Sequence, residues 1–196
     1  MLSFTAFFVK VERPFPQVKI RVDGLRATFK GHSVIKKILI ANRGEIAVRI
    51  VRACKEMGIK SVAIYTDADR HALHVKKADV AYNIGSDPVL GYLNAHNIVN
   101  LAVASGCDAL HPGYGFLSEN PVLAEVCARR GIQFIGPSPE VITQMGDKIQ
   151  ARQAMIKAGI PVVPGSDHNL ENAEEALKLA REIGYPVMLK ATNGGG

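Results

Sequence analysis

The sequence predicts an α/β protein built on a doubly wound parallel sheet, followed by the beginning of a second, differently built domain. Short apolar runs alternate with amphipathic stretches from Val34 to about Ile135, a pattern typical of strands alternating with helices. The connections between these segments are short, as expected for strand–helix–strand units with right-handed crossovers. Hydrophobic residues make up 47% of the 196 residues, which is ample for a packed core.

The first strand and helix of this pattern are VIKKILIAN and GEIAVRIVRACKEMG. A short apolar run of the first kind predicts a buried parallel strand. In the second segment Ala47, Ile50, Val51 and Cys54 recur at helical spacing, and charged side chains occupy the other face. Gly58 is expected to end this amphipathic helix.

The same alternation continues along the chain. It predicts strands at IKSVAIYT, ADVAYNIG, CDALH and IQFIG, and helices at NAHNIVNLAVASG and PVLAEVCARRG. From Ser138 the rhythm changes to two helices over about 138–146 and 147–158, a strand-like passage at PVVPGS, a helix at AEEALKLAREIG and a strand at PVMLKA. We therefore divide the chain into residues 1–33, 34–145 and 146–196.

Residues 1–33 differ from the rest in charge and pattern. They carry six Lys and Arg and two acidic residues, so +4 of the net charge of +6 lies there. The segment has no sustained helical period, and we expect a disordered or non-native extension. A transit peptide is a second interpretation, which Glu12, Asp23 and the low serine content disfavour.

Composition excludes several classes of function. The near-neutral body offers no basic stripe for nucleic acid, and no window approaches the roughly 20 apolar residues of a membrane helix. Cys54, Cys107 and Cys127 are widely spaced and form no Cys-x-x-Cys pair, so neither a zinc site nor a disulfide framework is indicated. We expect reduced, buried thiols in a cytoplasmic protein.

The first candidate site is the turn ANRGEIA, residues 41–47. A helix N-terminus that follows a parallel strand is suited to binding an anion. Gly44 stands alone, so the dinucleotide pattern G-x-G-x-x-G is absent and a nicotinamide or flavin fold is disfavoured. A solvated helix start remains an equal interpretation for Arg43 and Glu45.

The second candidate site is HPGYGFLSENP, residues 111–121, at the carboxyl end of a predicted strand. Ligands of open α/β sheets collect at such ends. Gly113 and Gly115 permit tight turns, and Tyr114 between them is expected to be exposed. His111 taken alone is more often a packed residue than a catalyst.

The third candidate site combines Lys148 and Lys190 with the glycine run Gly194–Gly196. An ammonium group supplies a point charge for phosphate, and glycine N–H groups can turn toward phosphate oxygens. A P-loop is excluded because its lysine follows the glycines, whereas here Lys190 precedes them. Either lysine alone is typical of a surface charge, but together they indicate a nucleotide site.

These segments, taken in order, resemble biotin carboxylase, the ATP-grasp component of acetyl-CoA, propionyl-CoA and pyruvate carboxylases. The resemblance rests on KILIANRGEIAVRIVRACKEMGIKSVAIYTDADR, HPGYGFLSEN, FIGPSPEVITQMGDK, AGIPVVPGS and GYPVMLKA with GGG, and covers about residues 34–196. It implies a Rossmann-like pre-ATP-grasp domain followed by the start of an ATP-grasp domain. The chain departs from the family at Thr192 and Asn193, where relatives usually carry small residues or more glycine.

The resemblance also implies roles for the residues that match the family's motifs. Tyr114 and Gly115 resemble residues that line the biotin end of the cleft, and Arg52 and Glu56 match positions in a homodimer interface. The lysines match phosphate or nucleotide contacts, the methionine lies near adenine, and the glycines open a mobile lid loop. These nucleotide-binding positions are Lys148, Met188, Lys190, Gly194, Gly195 and Gly196.

The implied reaction is ATP- and bicarbonate-dependent carboxylation of biotin through carboxyphosphate. The implied cofactors are ATP, Mg²⁺ and biotin on a carrier domain, and the implied partners are a biotin carboxyl carrier domain and a carboxyltransferase. Catalytic residues and Mg²⁺ ligands are expected C-terminal to Gly196, so we expect a truncated chain that is inactive alone. Two alternatives remain: another ATP-grasp ligase resembling carbamoyl-phosphate synthetase, or a non-catalytic nucleotide-binding module.

Overall fold

The computed structural model of the chain describes residues 4–7, 35–166 and 168–191, with residues 4–7, 190 and 191 described by their backbone alone. Two compact units are present. The five-stranded unit is Gly31–Thr143, and the two-stranded unit comprises Met1–Lys30 and Gln144–Gly196. The predicted glycine loop at 194–196 and most of the predicted extension at 1–33 lie outside the described residues. The three-part domain division stays a prediction.

The five-stranded unit contains a fully parallel sheet of strands β2 to β6. Their bounds are β2 Lys37–Ile40, β3 Lys60–Tyr65, β4 Val80–Asn83, β5 Ala109–His111 and β6 Gln133–Phe134. The strand order is β4-β3-β2-β5-β6. The chain therefore starts in the centre, builds out to one edge and returns to build the other, which confirms the predicted doubly wound fold class.

The helices of the five-stranded unit fill the connections between strands. They are α1 Gly44–Glu56, α2 Leu73–Lys77, α3 Leu90–Leu93, α4 Ala95–Ala104, α5 Pro121–Arg129 and α6 Pro139–Gly146, the last of which reaches into the next unit. The sequence analysis missed α2, α3 and a short 3₁₀ turn at Asp67–Asp69. Each is too short to show a helical period in the sequence.

Both faces of the sheet are packed, and successive residues of a strand point to opposite faces. Ile38 and Ile40 of β2 pack with the apolar side of α1. Leu39 of the same strand packs in a second cluster, which draws on α3, α4 and α5. The predicted inward positions of α1 are all buried: Ala47, Ile50, Val51 and Cys54.

The two-stranded unit contains α7 Lys148–Lys157, α8 Ala173–Ile183 and β7 Met188–Ala191. Strand β7 pairs antiparallel with β1, Phe4–Phe7, and Phe4 lies opposite Ala191. The expectation of a disordered extension did not include this strand. The predicted strand-like passage at PVVPGS is wrong, because residues 161–166 form no strand. Its prolines lack N–H groups, and the Val163 carbonyl accepts a hydrogen bond from Arg152 Nη1.

No helix among the described residues is long and apolar enough to cross a membrane. The three cysteines are free and buried, as the sequence predicts.

Candidate functional site

The first two candidate sites meet at the carboxyl edge of the five-stranded sheet. Strands β2 and β5 are parallel, hydrogen-bonded neighbours, with Ile40 opposite His111. Strands β3 and β4 lie on one side of β2 and strands β5 and β6 on the other, so the order of strand addition reverses between β2 and β5. The turn after β2 and the loop after β5 therefore lie side by side at the topological switch point. Open α/β sheets bind their ligands in this crevice.

Asn42, in the turn after β2, joins the two segments. Its side chain is buried, with 2% of its surface exposed. Its Nδ2 donates to the carbonyl oxygens of Pro112 and Tyr114, each at 2.8 Å, and its Oδ1 accepts from the N–H of Arg43 at 2.8 Å. Both amide hydrogens of Asn42 are thus used to hold the backbone of the neighbouring loop.

Two residues of the loop fit around Asn42. Gly113 has a φ of +67°, and a Cβ at this position would lie 2.8 Å from Asn42 Nδ2, so a side chain is excluded on conformation and on space. The N–H of Gly113 donates to His111 Nδ1 at 3.0 Å, which fixes Nδ1 as an acceptor. Burial lowers the pKa of His111, consistent with a neutral ring that helps to shape the turn.

Tyr114 is held at its hydroxyl as well as at its carbonyl. The phenol donates to Glu45 Oε1, from the first turn of α1. The bond to Glu45 is the main cause that raises the pKa of Tyr114, because it stabilises the protonated phenol. Tyr114 as a whole residue is 61% exposed, as the sequence predicts. Glu45 is therefore paired rather than a purely solvated helix residue.

Arg43 contacts the far side of the same loop. Its guanidinium lies 5.6 Å from the ring centres of both Tyr92 and Phe116, and its Nη1 donates to Asp69 Oδ2 at 3.2 Å. Phe116 has a φ of +46°, in the left-handed region that side chains rarely adopt. Arg43 thus packs on Phe116, the loop residue whose backbone conformation is unfavourable.

Tyr92 and Asp69 complete this cluster. The Tyr92 hydroxyl donates to Asp69 Oδ2 at 2.8 Å, and the Tyr92 side chain is fully buried. Burial, followed by the bond to Asp69, raises the pKa of Tyr92. Burial also raises the pKa of Asp69, but the bonds from Tyr92 and Arg43 outweigh it, so the pKa is lowered overall. Asp69 is therefore a carboxylate at neutral pH, which matches the positive charge of Arg43.

The sequence analysis singled out Arg43, Glu45, Tyr114 and Gly115, and the structure brings the first three of these together. It missed Asn42 and the partners of Arg43. Asn42 had one signal, since it is the polar residue that ends the buried strand before the candidate turn. The predicted anion site at the start of α1 stays a prediction.

Lys148 is the first residue of α7, where Asp147 caps the helix. Asp147 Oδ1 accepts from the N–H groups of Ile149 and Gln150, at 2.9 and 3.0 Å. The first amides of α7 are therefore engaged by a carboxylate.

The remaining predicted nucleotide residues lie at the end of the described chain. Met188 and Lys190 belong to β7; the Met188 side chain is half exposed, and the Lys190 side chain lies outside the description. The joint contact of Lys148 and Lys190 with one nucleotide stays a prediction. Within 4–7, 35–166 and 168–191, no cluster of His, Cys, Asp and Glu has the composition of a metal site.

Arg52 and Glu56 lie on the exposed face of α1. Their predicted role at a dimer interface is not tested by a single chain.

Two sequence families match adjacent parts of the chain. The biotin carboxylase N-terminal domain matches residues 34–142. The ATP-binding domain of the carbamoyl-phosphate synthase L chain matches residues 147–196.

Curated relatives match most of the chain. Biotin carboxylase 1 of Bacillus subtilis is 57% identical over 164 residues, which are 83% of this chain and 36% of the relative. The small subunit of 2-oxoglutarate carboxylase from Hydrogenobacter thermophilus is 56% identical over 163 residues, 83% of this chain and 34% of the relative. The chain thus spans about a third of the length of these relatives.

Solved structures agree with these relatives. The biotin carboxylase domain dimer of the Hydrogenobacter thermophilus 2-oxoglutarate carboxylase, in complex with MgADP, ADP and bicarbonate, matches 84% of this chain and 36% of that chain at 56% identity and a TM-score of 0.78. The biotin carboxylase of Campylobacter jejuni, in a β,γ-ATP complex, matches 83% and 36% of the two chains at 54% identity and a TM-score of 0.77. Because the N-terminal domain family covers more than half of its residues, this chain belongs to the biotin carboxylase family.

Proposed function

We propose that the chain provides the N-terminal part of a biotin carboxylase, which carboxylates carrier-bound biotin with ATP and bicarbonate through carboxyphosphate. One observation carries this proposal: the chain is 57% identical to biotin carboxylase 1 of Bacillus subtilis over 164 residues, more than either unit alone contains. The turn after β2 and the loop after β5 lie at the topological switch point of the sheet, which is where open α/β sheets bind their ligands.

One group of residues in the chain binds the nucleotide, and another group binds biotin. The Lys148 and Lys190 ammonium groups bind phosphate oxygens, Met188 contacts adenine, and Gly194–Gly196 begin the loop that covers the phosphates. When bound, ATP with Mg²⁺ supplies the phosphoryl group that activates bicarbonate. Positive charge near the phosphates favours this transfer electrostatically. The chain covers 36% of the Bacillus subtilis relative, and we assign no Mg²⁺ ligand and no catalytic residue within it.

The proposed biotin end lies at the carboxyl edge of the five-stranded sheet. The exposed ring of Tyr114 and the backbone of Gly115 contact the bicyclic ring of biotin there. We propose Arg52 and Glu56 as homodimer contacts, since both side chains are free to meet a second copy on the exposed face of α1. A carrier domain presents the biotin, and a carboxyltransferase receives the carboxyl group. The three buried, free thiols fit a reducing compartment such as the cytoplasm.

A carbamoyl-phosphate-synthetase-like ligase is the second candidate, because the match to residues 147–196 carries that name. The relatives named as biotin carboxylases match 83% of this chain, which must include part of residues 147–196. We therefore favour biotin as the acceptor. A non-catalytic nucleotide-binding module is the third candidate, and the same experiment separates all three.

The test replaces the matching segment of Bacillus subtilis biotin carboxylase 1 with residues 34–196 of this chain. We expect the hybrid enzyme to release phosphate from ATP in a bicarbonate- and biotin-dependent manner. Lys148→Ala and Lys190→Ala should each raise the KM for ATP about tenfold or more, because a charged hydrogen bond to phosphate is lost. Lys157→Ala, at the opposite end of α7, is the matched control and should leave that KM unchanged.

Two results would contradict the proposal. A folded hybrid that hydrolyses ATP without any dependence on biotin points to another ATP-grasp ligase. A hybrid that binds MgADP but turns over no substrate points to a binding module. Equal KM values for ATP in the two site variants and in Lys157→Ala would remove the assigned lysines from the nucleotide site.

A further inference from the structure

We propose that the turn Asn42–Glu45 is a positioning element that presets the Tyr114–Gly115 loop for its ligand. The identity of that ligand as biotin rests on the proposed function. The positioning itself rests on contacts within the five-stranded unit. No residue of this turn is assigned a direct contact with substrate.

The backbone of the loop is fixed from inside the protein. Asn42 donates both of its amide hydrogens to the loop, to the carbonyls of residues on either side of Gly113. Because the Asn42 side chain is buried, water cannot replace these bonds if the loop shifts. The missing side chain of Gly113 lets the two segments approach this closely. The loop therefore has one favoured backbone position.

The ring of Tyr114 is fixed separately from outside. An exposed tyrosine ordinarily samples several rotamers, yet the hydroxyl of this one is tied to the Glu45 carboxylate. Glu45 is itself held in the first turn of α1. With its carbonyl bound to Asn42 and its hydroxyl bound to Glu45, Tyr114 is anchored at both ends. What remains free is the exposed face of the ring, which is the surface a flat ligand would contact.

Arg43 supports the far end of the same loop. Its guanidinium packs on Phe116, whose positive φ is unfavourable for a residue with a side chain. Asp69 and Tyr92 hold the guanidinium in place. One short turn thus contacts the loop through three side chains at three places. A loop that only connected β5 to α5 would not need a hydrogen bond to the hydroxyl of an exposed tyrosine.

The first experiment measures the hydroxyl titration of Tyr114 in the full 196-residue chain, by NMR with ¹³C-labelled tyrosine and with Tyr114→Phe to assign the signal. In the unaltered chain, Tyr114 should titrate above its ordinary pKa, because the Glu45 carboxylate favours the protonated phenol. Glu45→Gln should bring the pKa down toward its ordinary value. The matched control is Glu119→Gln, an exposed glutamate in the same loop segment, which should leave it unchanged.

An equal Tyr114 pKa in the unaltered chain and in Glu45→Gln would overturn the proposal. Both altered side chains are exposed, so neither substitution threatens the fold. For the buried contact, Asn42→Ala should increase amide hydrogen exchange at Tyr114 and Gly115 more than at β2 and β5. Exchange that rises equally across the sheet, or not at all at the loop, would also overturn it.

The second experiment places Glu45→Gln and Glu119→Gln in the hybrid enzyme described above. Glu45→Gln should raise the KM for free biotin about tenfold and leave the KM for ATP unchanged, because only the biotin end loses a charge-assisted bond. An unchanged KM for biotin contradicts the positioning role. The two proposals fail differently: if the chain is not part of a biotin carboxylase, the hybrid shows no biotin-dependent phosphate release, yet Glu45→Gln still shifts the Tyr114 titration.

Discussion

The two units of the chain bury their side chains very differently. Among the described residues, the buried apolar side chains lie between Ile38 and Ile142, with two exceptions, Leu170 and Ala180. Helix α7 buries none of its side chains, whereas α1 buries five. Large apolar side chains such as Ile156 and Leu177 are about half exposed in the two-stranded unit.

This difference also separates the two groups of proposed binding residues. The proposed biotin end is built from residues of one well-packed sheet, and its loops are fixed by bonds within that unit. The proposed nucleotide residues lie on elements that have few buried neighbours among the described residues. Regions with little buried apolar surface open at lower free energy than packed cores. We therefore expect the two units to respond differently to the same kind of mutation.

The largest contrast should come from shortening one leucine in each unit. Leu110 of β5 is fully buried, whereas Leu177 of α8 is 51% exposed. Leu110→Ala should lower the free energy of unfolding by about 2–5 kcal/mol, because it removes apolar contacts and leaves a cavity. Leu177→Ala should change it by less than about 0.5 kcal/mol. Urea unfolding followed by circular dichroism measures both values.

Similar losses from the two substitutions would break the comparison. They would mean that α8 is packed as tightly in solution as β5, and that the exposed surface of Leu177 is covered by a partner. Leu123→Ala in α5, which is also fully buried, serves as a second test of the five-stranded core.

A smaller contrast concerns the pH dependence of stability. Asp79 accepts from the N–H and the hydroxyl of Ser61, each at 2.8 Å, and from Lys60 Nζ at 3.1 Å. These bonds, led by those of Ser61, lower the pKa of Asp79 to about 2. Because the folded-state pKa lies below the unfolded value of about 3.9, the carboxylate stabilises the fold above that value. This contribution is lost as the pH falls from about 5 to about 2.

Asp79→Asn should therefore lower the free energy of unfolding at pH 7 and flatten its decline in acid. The Asp79 side chain is 38% exposed, so solvent screening reduces the expected loss to roughly 1 kcal/mol. The bond to His168 lowers the pKa of Glu175 in the two-stranded unit as well. Glu175→Gln should have the smaller effect, because Glu175 accepts two bonds, from His168 and from the N–H of Glu171, whereas Asp79 accepts three. Urea unfolding between pH 2 and 7 measures both, and a larger effect of Glu175→Gln would reverse the comparison.

The strength of the sequence patterns explains how much of the fold could be predicted. Helix α1 has an unbroken apolar spacing, which predicted four of its five buried residues; the fifth is Val48. Helix α8 has apolar residues on more than one face. The spacing of its apolar residues predicts one face that holds Ala176, Leu177 and Ala180. In the structure Leu179 packs with Leu170 and Ala180, whereas Leu177 is exposed. When apolar residues lie on more than one face of a helix, tertiary packing determines which face is buried.

The candidate site shows a different limit. The alternation of strands and helices predicted that HPGYG lies at the carboxyl edge of the sheet. It did not predict that Asn42 binds this loop, because Asn42 is 70 and 72 residues away from its two partners. Their contact depends on β2 pairing with β5 in one register. Local spacing carries no information about such a neighbour, so residues that act through long-range contacts escape sequence analysis.

The smallest and most closely matched contrast uses two helix caps. Asn94 accepts from the N–H of Asn97 at 3.0 Å at the start of α4, and Asn172 accepts from the N–H of Glu175 at 2.9 Å at the start of α8. Replacing either asparagine with alanine removes one capping bond, which contributes about 1 kcal/mol. The chemistry of the two changes is the same, so any difference in their effects reports on the packing of the helix.

Helix α4 buries Ala95, Ile98, Val99 and Ala102, whereas α8 buries only Ala180. Asn94→Ala should therefore lower the global free energy of unfolding by about 1 kcal/mol, because α4 forms and unfolds with the sheet. Asn172→Ala should leave the slowest-exchanging amides of β2 and β5 unchanged and increase hydrogen exchange within residues 173–183. If Asn172→Ala also accelerates exchange in β2 and β5, the two units unfold together, and the nucleotide residues share the stability of the sheet after all.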